Sequence, residues 1–228
     1  MPKQARSENS SLILCFDVET TGLPPRGSRP SIANATSWPY IVQLSWVIYD
    51  EGANSILSVQ DMIVNPGVEV PIASSAIHGI SDRRAKTEGV LIQEALQLFA
   101  GECLRCQTVV SHNLDFDTNM IMIESIRLKL QYPLDNIPNK VCTMKSSVDI
   151  CKIERTNRKG KVYYKFPKLV ELHRHYFGET DLNLHDALVD CSICLRCYVY
   201  AEYGRDVFNI KKLKSSLHPG DRIVTQVQ

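Results

Sequence analysis

The feature that most constrains the fold is a short apolar segment near the N-terminus that ends in two acids. The segment SLILCFDVE, residues 11–19, has the length and composition of a buried β-strand, and a turn signal follows it at 22–24. Because residues i and i+2 of a strand project from the same face, we predict that Asp17 and Glu19 lie side by side. Two such carboxylates repel each other, so the pattern favours a raised pKa or a bound cation. A chance pair on the surface is the alternative.

Two further groups of polar residues lie at the starts of predicted helices. Asp117 follows a predicted strand and opens the helix 116–131, where a capping role is the alternative. His185 and Asp190 lie in the first part of a final predicted helix, and apolar neighbours argue against a fully solvated Asp190. Oxygen ligands without a thiolate favour Mg²⁺ or Mn²⁺ over zinc. A histidine that titrates near neutral pH suits the role of a general base.

The rest of the pattern predicts a mixed α/β domain in which a three-stranded meander is followed by alternating strands and helices. We predict strands at 11–19, 41–50, 55–66 and 107–113, with an edge strand within 137–145. Helical spacing of apolar residues predicts helices at 89–103, 116–131, 167–178 and 184–204. A long surface loop at 24–40 and a hairpin at 150–165 are additions to this core.

Length and charge limit the organisation of the chain. Its 228 residues suffice for one substantial domain, which we place at 11–204, with a disordered N-terminus at 1–10 and a basic tail at 205–228. The net charge is only +1, so any binding of polyanions must come from local basic patches and not from the overall charge. No apolar run is long enough to span a membrane and no signal core follows the first residues. We therefore expect an intracellular protein, cytoplasmic or nuclear, without a membrane partner.

The chain contains eight cysteines, and five of them recur at a spacing of three: Cys103 and Cys106, then Cys191, Cys194 and Cys197. Residues three apart share one face of a helix, so we predict that these cysteines are small core residues. Zinc binding is the alternative. Disulfides are not expected without a secretory signal.

Three segments in this order, FDVETTGL, SHNLDFD and HDALVD, resemble the exonuclease motifs of the DEDDh family of 3′–5′ exonucleases, typified by the proofreading epsilon subunit of bacterial DNA polymerase III. The resemblance covers roughly residues 11–203. It implies an RNase H-like fold, a mixed five-stranded sheet flanked by helices. It also implies that five residues are catalytic: Asp17, Glu19, Asp117, His185 and Asp190.

The resemblance further implies two Mg²⁺ ions per site, with Mn²⁺ as a substitute, held by the four carboxylates, with Asp17 bridging both. His185 would deprotonate the attacking water. In similar enzymes the residues after the first motif contact the terminal nucleotide, which nominates as substrate-binding residues Thr20, Thr21, Leu23, His78, Ile80 and Asn113. Core packing is the alternative for Leu23 and Ile80, and a turn-forming hydrogen bond is the alternative for Asn113.

The hairpin has a composition that suits nucleic acid. Residues 152–165 include six basic residues and one acid, and three aromatic side chains, Tyr163, Tyr164 and Phe166, occur at its end. Cations bind phosphates and rings stack on bases, although a solvated basic hairpin is equally compatible with this composition.

We therefore expect a metal-dependent 3′–5′ exonuclease that acts on single-stranded or frayed 3′ ends and releases nucleoside 5′-monophosphates, with DNA slightly favoured over RNA. The alternative is a catalytically inert nucleic-acid-binding module of the same fold. Proofreading would require a polymerase supplied by a separate protein, and a repair partner is equally open.

Overall fold

The computed structural model describes residues 11–178 and 185–207. The segment predicted to be disordered, 1–10, and most of the predicted basic tail, 208–228, lie outside the described residues, as does 179–184. Within the described residues, no helix is both long and apolar enough to cross a membrane.

The chain begins with three long strands, β1 (Leu12–Thr20), β2 (Ile41–Asp50) and β3 (Ser55–Asn65). Next come α1 (Ile72–His78), α2 (Asp82–Glu88), the two-residue strand β4 (Val90–Leu91) and α3 (Ile92–Cys103). The middle of the chain forms β5 (Thr108–Ser111), α4 (Leu114–Leu128) and β6 (Asn139–Cys142). The last part forms α5 (Thr143–Ser146), α6 (Val148–Cys151), β7 (Glu154–Thr156), β8 (Val162–Tyr164), α7 (Leu169–Phe177) and α8 (Ala187–Tyr203).

Six strands form one mixed sheet in the order β4-β3-β2-β1-β5-β6. β2 runs antiparallel to β1 and β3, whereas β5 runs parallel to β1, β6 parallel to β5, and β4 parallel to β3. The predicted mixed α/β sheet flanked by helices is confirmed, but it has six strands rather than five. The additional strand is β4, whose two residues are too few to produce a recognisable alternation.

Helices cover both faces of the sheet, and the central strands are therefore buried. All ten residues of β2 are buried. On one face, Phe16 and Trp46 pack against Phe99 of α3, with ring centroids 5.1 and 5.4 Å from it. On the other face, Ile13 and Tyr49 pack with residues of α7 and α8. Burial on both faces explains why the first strand is an almost continuous apolar run.

The two cysteine clusters lie in this core, as predicted. Cys103 and Cys106 belong to the cluster around α3, and Cys191, Cys194 and Cys197 belong to the cluster around α8; all five are buried. Burial raises the pKa of the Cys103 thiol, and it raises the pKa of Cys106 to about 12. A thiol that resists ionisation is a poor zinc ligand, so the burial of these cysteines favours packing.

The predicted additions also take defined conformations. The loop at 24–40 contains a short 3₁₀ helix, Ile32–Ser37. The predicted hairpin is a separate two-stranded sheet of β7 and β8. Ser81 caps α2, because its hydroxyl accepts a hydrogen bond from the Arg84 N–H.

Candidate active site

The first two acids occupy the part of β1 that extends beyond its neighbour. β1 pairs with β5 only through Ile13 to Cys15, so Asp17 and Glu19 lie past the end of β5. The alternation of the strand places Cys15, Asp17 and Glu19 on one face. Cys15 is part of the core cluster that contains α8, so this face is the one that α8 covers.

The third acid enters from the connection that follows β5. α4 begins at Leu114, directly after Asn113, whose backbone adopts a left-handed conformation (φ 77°). This turn brings the first helical turn back over the end of β1, and Asp117 is only 2% exposed. The Ser111 hydroxyl donates a short hydrogen bond to Oδ2 of Asp117.

The histidine and the fourth acid are positioned by the start of α8. Asp186 is the capping residue, since its Oδ1 accepts hydrogen bonds from two N–H groups of the first turn, each at 3.1 Å. Asp186, and not His185, therefore caps this helix. His185 instead has a left-handed backbone (φ 71°), and its N–H donates to Oδ2 of Asp190 at 3.2 Å. Gln43 of β2 accepts a hydrogen bond from the Ala187 N–H at 3.1 Å and so ties α8 to the sheet.

These elements bring the five predicted catalytic residues into one neighbourhood. One potential ligand atom from each of Glu19, His185 and Asp190 lies within 4.8 Å of the other two. Asp17 and Asp117 are close enough that their charges act on each other and on Asp190.

The pKa values of the four carboxyl groups are raised, and burial is the largest cause for each. The pKa of Glu19 rises to about 8, with repulsion from Asp190 and Asp117 adding to burial. Burial also raises the pKa of Asp117 to about 8, although the Ser111 hydroxyl favours its charged form. The pKa of Asp190 rises to about 7, and that of Asp17 lies well above its ordinary value. Four ionised carboxylates at this site therefore require a compensating positive charge.

The donor set fits hard divalent cations. Its four carboxyl groups supply oxygen ligands, which suit Mg²⁺ or Mn²⁺. Oδ1 of Asp190 is buried, and among the described residues it has no hydrogen-bond partner. A buried carboxylate oxygen without a donor is unfavourable, and a bound cation would satisfy it.

The residues predicted to bind substrate differ in their exposure. Leu23, the last residue of the first motif, is 86% exposed, whereas Ile80 is 1% exposed and packs with a small core cluster. Thr20 is buried, and its hydroxyl donates to the Gly22 carbonyl at 2.7 Å. Oγ1 of Thr21 accepts from the Tyr40 N–H at 2.9 Å.

The other two candidates are His78, the last residue of α1, and Asn113, which directly precedes α4. His78 is buried, and burial lowers its pKa, with a smaller contribution from the nearby charge of His185. Asn113 is exposed at the start of α4, and its side chain makes no capping hydrogen bond. For the two apolar candidates, the alternative of core packing fits Ile80, which is buried, and does not fit Leu23, which is exposed.

Sequence reasoning missed two residues that hold the site together, Ser111 and Gln43, and one exposed residue on a helix that adjoins it, Ile77. The role of Ser111 could not be predicted, because a serine at the end of a strand has many other possible roles. The role of Gln43 could not be predicted, because its partner Ala187 is distant in the chain. Ile77 was passed over in favour of Ile80. It is 59% exposed at the end of α1, and Ser74 of the same helix donates a hydrogen bond to the Thr21 carbonyl at 2.9 Å.

Comparison with known proteins gives one family and several relatives of the same fold. The model of the RNase_T exonuclease family matches residues 14–198. A protein of Rhodobacter capsulatus described as a DNA polymerase III subunit epsilon-like protein is 31% identical over 106 residues, which are 46% of this chain and 13% of the relative. The match thus spans a small part of that relative's length.

Three solved structures share the fold. Exonuclease X, in complex with 5′ overhanging duplex DNA, is 20% identical with a TM-score of 0.52, over 85% of this chain and 93% of that one. E. coli Exonuclease I, in complex with an oligonucleotide, is 16% identical with a TM-score of 0.61, over 92% and 46%. A 3′-exonuclease that recognises the histone mRNA stem-loop is 13% identical with a TM-score of 0.61, over 87% and 66%.

At these identities the solved structures establish the RNase H-like fold, and the family model adds the relationship in sequence. That model begins within β1 and ends within α8, so it includes all three acidic motifs. The recognition made from the motifs is confirmed, and the chain belongs to the RNase_T family of exonucleases.

Proposed function

We propose that this chain is a divalent-metal-dependent exonuclease that removes nucleotides one at a time from the 3′ end of a nucleic acid and releases nucleoside 5′-monophosphates. The observation that carries the proposal is the convergence of four carboxyl groups and one histidine from β1, α4 and α8. Burial and mutual repulsion raise the pKa values of these acids. Their ionised forms are therefore unfavourable together unless a bound cation compensates the charge.

Four residues would hold the metal: Asp17, Glu19, Asp117 and Asp190. The proposed metal is Mg²⁺, with Mn²⁺ as a substitute and two ions per site. When bound, such ions neutralise charge on the phosphodiester and lower the pKa of water.

His185 is the proposed general base. Its side chain is exposed, and a ring nitrogen lies within 4.8 Å of ligand atoms of Glu19 and Asp190. It therefore faces the carboxylates on one side and solvent on the other. A ring nitrogen in this position can take a proton from the attacking water and pass it to solvent.

Two exposed apolar side chains on segments that adjoin the end of β1 are the proposed contacts for the terminal nucleotide. Leu23 ends the first motif, and Ile77 lies on the helix whose Ser74 donates a hydrogen bond to the Thr21 carbonyl. Both are mostly exposed, and apolar side chains of this kind suit the face of a base. We propose Ile77 for this role in place of Ile80, which is buried.

The substrate is a nucleic acid with a single-stranded or frayed 3′ end. Support comes from the relatives, since the Exonuclease I structure holds an oligonucleotide and the Exonuclease X structure holds duplex DNA with an overhang. The 3′-exonuclease of similar fold recognises an RNA stem-loop. We favour DNA slightly over RNA.

A gel assay tests the proposal. Matched 5′-labelled single-stranded DNA and RNA are incubated with Mg²⁺, with Mn²⁺ or with EDTA, and Asp17→Ala serves as the control. We expect a descending ladder that requires both metal and Asp17, and the faster substrate identifies the preference. The absence of a ladder on either substrate, with binding retained, would instead support an inert binding module.

A further inference from the structure

The β7–β8 hairpin is a cationic projection that the proposed catalytic chemistry does not use. Every residue from 154 to 164 is exposed. Within residues 11–178 and 185–207, Arg155, Arg158, Lys159 and Lys161 form no ion pair with a carboxylate. Tyr163 is 48% exposed and Phe166 is 57% exposed. Cations can bind phosphates and rings can stack on bases, so the hairpin contains both elements of a surface for single-stranded nucleic acid.

The hairpin is nevertheless well defined. Asn157 closes its turn, because its side-chain Oδ1 accepts hydrogen bonds from the N–H groups of Lys159 and Lys161 at 2.9 and 3.1 Å. Gly160 takes the positive φ of 78° that the turn requires. At its base, Lys165 forms an ion pair with Glu171 of α7. A fixed turn and a fixed base give the two faces of the hairpin definite directions.

The two faces differ in charge. Arg155 pairs directly with Tyr163 across the strands, so their side chains share one face. Glu154 is the one acidic residue of the hairpin. It pairs with Tyr164 and therefore lies on the opposite face. Lys161 is two residues before Tyr163, so the alternation of the strand places it on the same face as Tyr163. We call the side that carries Arg155, Lys161 and Tyr163 the Tyr163 face.

The base of the hairpin is anchored next to the carboxylates. The carbonyl of Pro167 lies 3.1 Å from Nε2 of His112, and Nδ1 of His112 lies 2.9 Å from the Thr143 hydroxyl. Burial lowers the pKa of His112 to about 4, so the ring is neutral and donates one of these hydrogen bonds. His112 directly follows Ser111, which contacts Asp117. The hairpin thus rises from the edge of the active site.

We propose that the Tyr163 face of this hairpin binds the single strand of nucleic acid that leads to the active site, with a base stacked on Tyr163 and a phosphate on Arg155. This inference rests on the proposed function and extends it from the terminal nucleotide to the strand behind it. From Ile153 to the turn, each arm spans about 13 Å at the rise of a β-strand. Because the arm extends this far from its base, we expect the contact to involve the strand upstream of the terminal nucleotide, which short substrates lack.

Two tyrosines on the same strand provide a matched test. Tyr163→Ala and Tyr164→Ala remove the same ring, with similar exposure, from opposite faces. Binding of a 5′-fluorescein-labelled 20-nucleotide oligo(dT) is measured by fluorescence anisotropy in full-length protein that also carries Asp17→Asn. We expect Tyr163→Ala to weaken binding about tenfold, which is the range of a base–aromatic stack, and Tyr164→Ala to change it less than twofold.

Charge is tested in the same way. We expect Arg155→Gln to reduce the slope of log affinity against log salt by about 0.7, the value for one phosphate contact on a single strand. Arg83→Gln, on α2 beside β3 on the other side of the sheet, is the control, and its slope should equal that of the parent. Equal effects of Tyr163→Ala and Tyr164→Ala, or no effect of Arg155→Gln, would overturn the assignment of this face. If Tyr163→Ala weakened the binding of blunt duplex DNA but not of oligo(dT), the assignment of a single strand would be wrong.

A small substrate separates this inference from the proposed function. The p-nitrophenyl ester of thymidine 5′-monophosphate is a phosphodiester without an upstream strand. In the otherwise native protein, the ratio of oligonucleotide cleavage to ester cleavage should fall about tenfold in Tyr163→Ala and stay constant in Tyr164→Ala. Ester cleavage with an unchanged ratio would refute the role of the hairpin and leave the exonuclease intact, whereas no cleavage of either substrate by the native protein would refute the exonuclease itself.

Discussion

The Ser111 hydroxyl donates a hydrogen bond to the Asp117 carboxylate at the point where β5 passes into α4. This bond favours the charged form of a buried acid whose pKa is about 8. Ser111→Ala should therefore raise the pKa of Asp117 further and lower kcat/KM at pH 7 about tenfold, since a hydrogen bond to a charged group contributes about 1.5–3 kcal/mol. The acid limb of the pH–rate profile, measured from pH 6 to 9, should move to higher pH.

Ser125→Ala is the matched control for this change. Ser125 is also buried on α4, but its hydroxyl donates to the Ile121 carbonyl at 2.8 Å instead of to a carboxylate. An acid limb that moves equally in both variants would show that general loosening of α4, and not the Asp117 contact, is responsible.

Metal-free protein should lose stability as the pH rises from 6.5 to 8. The pKa values of Glu19 and Asp117 are both about 8, so the folded state retains protons that the unfolded chain has released. Because the folded state binds more protons, the free energy of unfolding falls as the pH rises. Buried His112 has a pKa of about 4, so below about pH 6.5 the unfolded chain binds a proton there that the folded state does not. In that range His112 makes the free energy of unfolding rise with pH, and the measurement therefore stays above it.

The measurement is the Tm in EDTA across this pH range, repeated with Mg²⁺. A fall of about 2–4 °C would correspond to about 1 kcal/mol for a chain of this size. Mg²⁺ should raise the Tm more at pH 8 than at pH 6.5, since it replaces the protons. Asp117→Asn should flatten the dependence, and a Tm that rises toward pH 8 in EDTA would contradict the explanation.

The sequence predicted the parts of this site that follow from local periodicity. Asp17 and Glu19 share a face because a strand alternates, and the positions of Asp117 and Asp190 followed from motifs whose order could be compared with a known family. The sequence nominated Ile80 as a substrate contact and gave no sign of its burial or of the exposure of Ile77, since both depend on where α1 ends. Gly79, with φ 75°, ends that helix and turns the following residue into the core.

Longer-range contacts were equally out of reach. Gln43 of β2 contacts both α8 and Asp61 of β3, and its sequence neighbours contain no sign of either partner. The two residues of β4 pair with β3 because the tertiary fold brings them there, and so they give no periodic signal. In both cases the missing information is three-dimensional.

His185→Ala should lower turnover far more than binding. A general base acts in the chemical step, so kcat should fall about 10²–10⁴-fold while oligonucleotide affinity changes less than about twofold. The measurements are single-turnover cleavage rates and anisotropy. His175→Ala, an exposed histidine on α7, is the control. Equal losses in rate and affinity would argue against a general base.

Ile77 and Ile80 should separate binding from stability. Ile77→Ser changes a side chain that is 59% exposed, so KM for an oligonucleotide should rise several-fold while the Tm stays within about 2 °C. Ile80→Ser places a hydroxyl in a core cluster and should cost about 2–5 kcal/mol of stability. Thermal unfolding and steady-state kinetics of both variants provide the comparison. A rise in KM for Ile80→Ser alone, at a temperature where both variants are folded, would reverse the assignment.

Arg127 should be the residue that fixes the 24–40 loop beside the site. Its guanidinium donates hydrogen bonds to the carbonyls of Ala35, Trp38 and Pro39 at 2.6–3.2 Å. It also pairs with the buried Glu124 at 2.8 Å. Arg127→Met removes the cationic partner of the buried Glu124, which keeps only the Ile41 N–H as a donor, and it leaves those carbonyls without the guanidinium. We therefore expect a loss of about 3–5 kcal/mol in denaturant unfolding.

The same change should also reach the active site. The guanidinium carbon lies 3.7 Å above the Tyr40 ring, and Tyr40 exchanges hydrogen bonds with Thr21 through both its N–H and its carbonyl, each at 2.9 Å. KM for an oligonucleotide should therefore rise, and the loop should become sensitive to limited proteolysis. Arg105→Met removes an exposed pair with Glu102 and should cost less than about 1 kcal/mol. If the two variants lose equal stability and the loop stays resistant, Arg127 does not hold it.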